Sequence, residues 1–87
     1  MDPVEESRAQ STATDRELLA ARSRRVEIVR RLHDYKLREG IPLRDPGREE
    51  ALVTALQSAN PGPLSAEAVA RFFHFVLGLT RDEIHGS

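Results

Sequence analysis

Two cations interrupt an otherwise aliphatic row of residues in the first half of the chain. Arg25 and Lys36 are 11 residues apart, and at about 100° per residue this spacing returns to nearly the same side of an α-helix. Leu18, Val29 and Leu32 fall on that side at helical intervals. Because a charge in an apolar row is costly without an anion beside it, we interpret the pair as an anion-binding site. The alternative is that both side chains extend along the edge of the row to solvent.

A second group of charges follows a predicted helix start. Asp is a strong N-cap residue and Pro favours the first helical position, so Asp45-Pro46 predicts a helix that begins there. Glu49 complements the positive end of that helix, whereas Arg48 opposes it. Arg48 therefore indicates either an anionic partner or a solvated side chain. Thr80, at the end of a later apolar row, suits either a buried hydroxyl or a ligand contact.

Several other chemistries lack the residues they need. The chain has no cysteine, no Gly-x-Ser-x-Gly motif, and no metal-ligand spacing among its three histidines, His33, His74 and His85. We therefore expect no metal site. The net charge is −1, which is not the balance of a basic nucleic-acid binder. The predicted first helix is rich in arginine, but the acidic residues Glu27 and Asp34 lie among those arginines, and no aromatic side chains accompany them on which bases could stack. We therefore expect no nucleic acid partner.

The elements that must position these residues are helices. Thr14 to Glu17 has the form of a capping box, and apolar residues recur at helical spacing from there to about Arg38, where Gly40 is the predicted stop. A second helix is predicted over 46–59. The break at 60–63 precedes a third helix, capped by Ser65 and ending near Ile84. We expect residues 1–13 to form a polar tail or a frayed helix start, 14–84 a helical domain and 85–87 a tail.

The lengths of these helices favour an assembly of two chains. Helix 1, at roughly 25 residues, would be about 37 Å long, and helix 2, at roughly 14, only about 21 Å. A second copy covers the remainder of helix 1 more naturally than the short helices do, although a monomeric bundle with an exposed helix end is the alternative. Residues 1–14 are polar and no apolar run nears membrane length. We therefore expect no signal peptide, no membrane span and a cytoplasmic location.

Between about Arg8 and Ile84 the chain resembles the all-helical, or type II, chorismate mutase family. The resemblance rests on Arg25, Lys36-Leu37, Gly40-Ile41-Pro42, Arg44-Asp45 and Arg48-Glu49, whose spacing matches the family pattern without a gap. It implies an all-α, three-helix protomer with one long N-terminal helix, in an intertwined homodimer. It also implies a cofactor-free isomerase that rearranges chorismate to prephenate in phenylalanine and tyrosine biosynthesis.

The resemblance implies roles for individual residues as well. The implied catalytic residues are Arg25 on a carboxylate, Lys36 near the ether oxygen, Arg48 on the ring carboxylate and Glu49 as an acceptor for the ring hydroxyl. The implied substrate-binding residues are Arg8, which reaches across the dimer, Asp45 beside Glu49, and Thr80 beside Arg48. Catalysis would consist of conformational capture and preorganised stabilisation of charge.

Two departures from the family pattern bear on activity. Ser7, Ser11 and Thr14 occupy positions that are usually aliphatic, so the start of helix 1 is expected to bury less surface and to fray. Ile84 stands where the family places Gln or Glu near the ether oxygen, with Glu83 or His85 as possible substitutes. We therefore expect low activity, or dependence on a partner enzyme of the same pathway.

Three other functions stay open from the sequence. A lyase that eliminates pyruvate from isochorismate shares the fold and similar cations. A mutase for the amino analogue of chorismate is a narrower variant, since Glu49 could accept from an amine as well as from a hydroxyl. The third is a non-catalytic helical module with a regulatory or interaction role.

Overall fold

Three α-helices make up the computed structural model, which describes residues 2–85. They are α1 (Pro3–Glu39), α2 (Pro46–Ala59) and α3 (Ala66–His85). The described residues contain no strand, and the predicted all-α architecture is confirmed. The chain divides into two compact units, one up to Leu32 and one from His33 onward. Among the described residues, the first unit holds Asp2 and α1 up to Leu32, and the second holds the last turns of α1 together with α2 and α3.

The first helix begins at Pro3, and its predicted start at Thr14 is wrong. Asp2 caps it, because its Oδ1 accepts a hydrogen bond from the Val4 amide at 3.0 Å and its carbonyl accepts one from the Glu6 amide at 2.9 Å. The Thr14 hydroxyl is no cap and instead donates to the Gln10 carbonyl, at 3.0 Å, inside the helix. An Asp-Pro pair starts this helix as another starts α2. Nothing in residues 4–13 breaks a helix.

The end of α1 follows the prediction. Gly40 has a φ of +67°, a left-handed conformation that glycine adopts without steric cost. The Ile41 amide donates to the Lys36 carbonyl at 2.9 Å, which is the pattern of a Schellman motif. Lys36 and Arg38 in this last turn complement the negative helix end.

A capped hairpin of α2 and α3 forms the core of the second unit. The Ser65 hydroxyl accepts from the Ala68 amide at 3.0 Å, as predicted for the start of α3. The side-chain amide of Gln57 donates to the Ala66 carbonyl at 2.9 Å and so joins the end of α2 to the start of α3. The buried apolar side chains here are Val53, Val69, Val76 and Leu77. Of the predicted tail at 85–87, His85 ends α3, and 86–87 lie outside the described residues.

Within the described range, none of the three helices combines the length and the hydropathy that crossing a membrane requires.

Candidate active site

A carboxylate held between two guanidinium groups lies at the start of α2. Glu49 Oε1 accepts a hydrogen bond from Nη1 of Arg81, on α3, at 3.2 Å. Arg44, in the connection that precedes α2, places its Nη2 3.9 Å from Glu49 Oε2. The Glu49 side chain is 28% exposed, compared with 41% for Arg81 and 64% for Arg44. The carboxylate is therefore oriented from two sides and still reaches solvent, where it can accept a further hydrogen bond.

The cap of α2 brings three of the predicted site residues together. Asp45 has an extended backbone (φ −134°, ψ 91°), and its Oδ1 accepts from the Arg48 amide at 3.1 Å. Its carbonyl accepts from the Glu49 amide at 3.2 Å. These bonds fix the backbone of all three residues, while the Arg48 side chain is exposed and can reach an anion. The Asp45 carboxylate thus has a structural use in addition to any contact with a ligand.

Lys36 lies in the last turn of α1 and is partly buried. Its own carbonyl is the acceptor in the Schellman motif, so the backbone that carries the ammonium group is held at the point where the chain leaves the helix. The ordered backbone restricts the positions that the Lys36 ammonium group can reach.

Thr80 is the one buried polar residue of the described chain, with 5% of its surface exposed. Its hydroxyl donates to the Val76 carbonyl at 2.8 Å, within α3. The hydroxyl proton is therefore used inside the helix, and the oxygen can serve a ligand or a neighbouring cation only as an acceptor. This narrows the predicted role of Thr80 from a general polar contact to the acceptance of a hydrogen bond.

The two remaining predicted arginines belong to the N-terminal unit. Arg8 is exposed on α1. Arg25 is partly buried next to buried Val26. Burial lowers the pKa of the Arg25 guanidinium from its ordinary value, and the positive charge of Arg22 lowers it further. Both effects disfavour the cation, so a carboxylate bound beside Arg25 would offset them.

The position predicted to lie near the ether oxygen carries no polar group. Ile84 is partly buried and Glu83 is exposed, both on the last turns of α3. The side chain of His85 lies outside the described part of the chain. Among residues 2–85, no group of three or more His, Asp or Glu side chains gathers where it could hold a metal ion.

Sequence reasoning did not identify Arg81 or Arg44 as partners of Glu49. A signal for Arg81 was present: Val69, Val76, Leu77 and Thr80 form one buried row on α3, and Arg81 follows Leu77 by four residues, at the edge of that row. The same reasoning that singled out Arg25 and Lys36 applies to it.

Comparisons with known proteins bear on the family and the fold. The family model described as chorismate mutase type II matches residues 7–84. The fold is similar to the form II structure of chorismate mutase from Thermus thermophilus, with a TM-score of 0.93, 26% sequence identity and coverage of 99% of this chain and 98% of that one. It is also similar to the form I structure of the enzyme from the same organism, with a TM-score of 0.88, 26% identity and coverage of 91% and 99%. No curated protein matches the chain.

Proposed function

The chain belongs to the type II chorismate mutase family, an isomerase family of aromatic amino-acid biosynthesis, and we propose which of its residues convert chorismate to prephenate. In this rearrangement a C–O ether bond breaks while a C–C bond forms within the same molecule. No proton or electron has to be supplied from outside. The protein must therefore fold the substrate into a compact conformer and stabilise the charge that develops on the ether oxygen. The observation that carries our assignment is the ordered cap of α2, which fixes Asp45, Arg48 and Glu49.

Arginine side chains supply most of the proposed contacts to the two carboxylates of chorismate. Arg25 clamps one carboxylate of chorismate through its planar guanidinium, which matches a carboxylate with two parallel hydrogen bonds. Arg48 binds the ring carboxylate, with the Thr80 oxygen as an acceptor that orients its guanidinium. Arg8, contributed by the second subunit, adds a further contact to a carboxylate. The lowered pKa of Arg25 supports its part, because an anionic ligand offsets the cost of keeping that cation charged.

Lys36 is the residue proposed to act on the reacting atoms. Its ammonium group donates to the ether oxygen, on which negative charge grows as the C–O bond lengthens. A donor that is already in place costs no reorganisation at that moment, and removing one such donor typically lowers kcat by about 10²–10³-fold. The capped end of α1, where the Ile41 amide is bonded to the Lys36 carbonyl, supports this role.

Glu49 is proposed to accept a hydrogen bond from the ring hydroxyl, with Asp45 nearby at the same helix start. Its carboxylate is oriented by Arg81 and reaches solvent. A carboxylate offers about four lone-pair sites, so acceptance from the arginines leaves room for a hydroxyl donor.

A homodimer is proposed as the working form, in place of a monomer. Leu18 and Leu19 on α1 are 52% and 67% exposed, and Ile28 and Leu32 are exposed on the same helix. Exposed apolar rows of this kind mark an interface. The cytoplasmic location stays a prediction.

The direct test is turnover of chorismate by the purified protein, with prephenate identified as the product. Lys36→Ala and Arg25→Ala are expected to lower kcat/KM by about 10²–10³-fold. Arg38→Ala and Arg24→Ala, at exposed positions of α1, are the matched controls and are expected to retain activity. Circular dichroism checks that every variant is folded.

The same assay separates the other candidate functions. Release of pyruvate and salicylate from isochorismate, without conversion of chorismate, would identify the lyase. If the folded protein neither binds nor converts either compound, a non-catalytic helical module is the remaining candidate function. Equal activity of Lys36→Ala and Arg38→Ala would remove Lys36 from the mechanism.

A further inference from the structure

The Glu49 carboxylate is in contact with two guanidinium groups. Arg81 Nη1 donates to Oε1 at 3.2 Å, and Arg44 Nη2 lies 3.9 Å from Oε2. The three groups in this contact, two guanidinium groups and one carboxylate, carry a formal charge of +2 − 1 = +1.

Arg81 is the better placed of the two arginines. It comes from a different helix and makes the shorter contact, and it is less exposed than Arg44. Its guanidinium also lies over Gly78, one turn earlier on α3, because a β-carbon at Gly78 would be 3.8 Å from Nη2. The Arg81 side chain is thus supported by its own helix while it reaches across to Glu49.

We propose that Arg81 is a positioning residue that makes this mutase selective for the neutral ring hydroxyl of chorismate over the cationic amino group of its amino analogue. The inference rests on the proposed function, in which Glu49 accepts from the group at that ring position. Arg81 does so by fixing the Glu49 carboxylate and by adding a positive charge beside it.

The selectivity follows from the charge on the donor. A hydroxyl needs only a lone pair on Glu49, and a carboxylate whose charge is compensated by arginines still provides one. An alkylammonium group needs a net negative partner, and here it meets like charges within a few ångströms. A lone Glu49 would favour the amine, whereas Glu49 between Arg81 and Arg44 favours the hydroxyl.

The test compares the two substrates in the same preparations. For each variant, kcat/KM is measured with chorismate and with the amino analogue, and the inhibition constant of the analogue against chorismate is measured in case its turnover is too slow. The ratio between the two compounds is the readout, because loss of folded protein lowers both values equally and leaves the ratio unchanged. Arg81→Gln removes the charge, Arg81→Lys keeps it, and Arg71→Gln is the same change at an exposed position earlier on α3.

We expect the wild-type protein and Arg71→Gln to prefer chorismate to the same extent. Arg81→Gln is expected to shift the ratio toward the amino analogue by about tenfold, as for removal of one partly exposed like charge. Arg81→Lys is expected to keep the wild-type ratio, with slower turnover of chorismate because the planar fork is lost. Glu49→Gln, which raises the local positive charge, is expected to move the ratio in the opposite direction.

Two results would overturn the inference while the proposed function stands. One is a wild-type protein that converts chorismate but prefers the amino analogue. The other is an Arg81→Gln variant whose ratio matches that of Arg71→Gln. By contrast, a wild-type protein that neither converts nor binds chorismate would overturn the proposed function itself.

Discussion

Residue 84 is an isoleucine at the position where the family places a hydrogen-bonding side chain near the ether oxygen. Ile84 is partly buried on the last turn of α3, so a longer polar side chain there keeps partial access to a ligand. We predict that Ile84→Gln raises kcat with chorismate, by up to about 10²-fold if the amide supplies one transition-state donor worth about 3 kcal/mol. Ile84→Leu, which adds no donor, is the control and should leave kcat near its original value. An unchanged or lower kcat in a folded Ile84→Gln protein would show that this position does not face the ether oxygen.

The Arg25 guanidinium gives a prediction for the pH dependence of ligand binding. Its pKa in the folded protein is lowered by burial and by Arg22, so the folded state disfavours its charged form. That cost is present in full at every pH below the pKa of Arg25 in the folded protein, including the neutral range. It disappears only as the pH rises above that pKa toward the higher pKa of the unfolded chain. A bound carboxylate offsets the cost over the same range. Prephenate, which keeps both carboxylates, should therefore raise the melting temperature by a similar amount from pH 6 to pH 9.

Arg25→Ala should abolish most of that thermal shift, while Arg24→Ala, one residue away and exposed, should keep it. At a ligand concentration 100 times Kd the stabilisation is about 2.7 kcal/mol, which is easily measured by differential scanning fluorimetry. A shift that fell steeply between pH 6 and pH 9 would indicate that a histidine, not the Arg25 guanidinium, governs binding of the anion.

At the scale of the helices, replacing glycine by alanine should change the free energy of unfolding in opposite directions at two positions. Gly40 has a φ of +67°, and a β-carbon there would meet nothing within 4 Å, so Gly40→Ala is strained by its backbone alone and should lower the free energy of unfolding by about 1 kcal/mol. Gly78 lies inside α3, where a β-carbon would make an ordinary contact. Gly78→Ala should therefore raise that free energy by up to about 1 kcal/mol. Urea unfolding followed by circular dichroism measures both, and changes of equal sign would contradict the account.

Capping signals in the sequence predicted most of the helix ends, and the start of α1 shows where such local signals were not sufficient. Asp45-Pro46 and Gly40 predicted the start of α2 and the end of α1, because each acts through bonds within a few residues. Asp2-Pro3 carries the same start signal, but the polar residues after it lack an apolar row, and the prediction began the helix at Thr14. A helix needs only capped ends and no breaker to persist through such a stretch.

The partners of Glu49 lie beyond such local reasoning. Arg81 is 32 residues away in sequence, and its contact depends on how α2 and α3 pack and on the conformation of a long side chain. The family resemblance identified Glu49 itself but carried no information about an arginine at position 81. The charge environment of the carboxylate therefore had to come from the structure.

At the scale of the whole molecule, the exposed leucines of α1 and the exposed Arg8 point to the same requirement. A chain of 9.7 kDa buries a small core on its own, and Leu18 and Leu19 stay more than half exposed in it. In the proposed homodimer a second copy covers this helix, and the family resemblance implies that Arg8 of one subunit then reaches the site of the other. The dimer would then be needed for chemistry as well as for stability.

Mixing two inactive variants tests whether Arg8 acts in the second subunit. Arg8→Ala and Arg25→Ala each damage every site of a homodimer. In a mixed dimer one site carries both substitutions, and the other combines an intact Arg25 with an intact Arg8 from the neighbouring chain. An equimolar mixture, unfolded and refolded together, should recover about a quarter of wild-type activity, because half of the dimers are mixed and each has one intact site.

Differently tagged chains, copurified through both tags, confirm that mixed dimers form. If they form and activity stays at the low level of the single variants, Arg8 acts within its own chain. If the wild-type protein sediments as a monomer and is active, the site is complete in one copy.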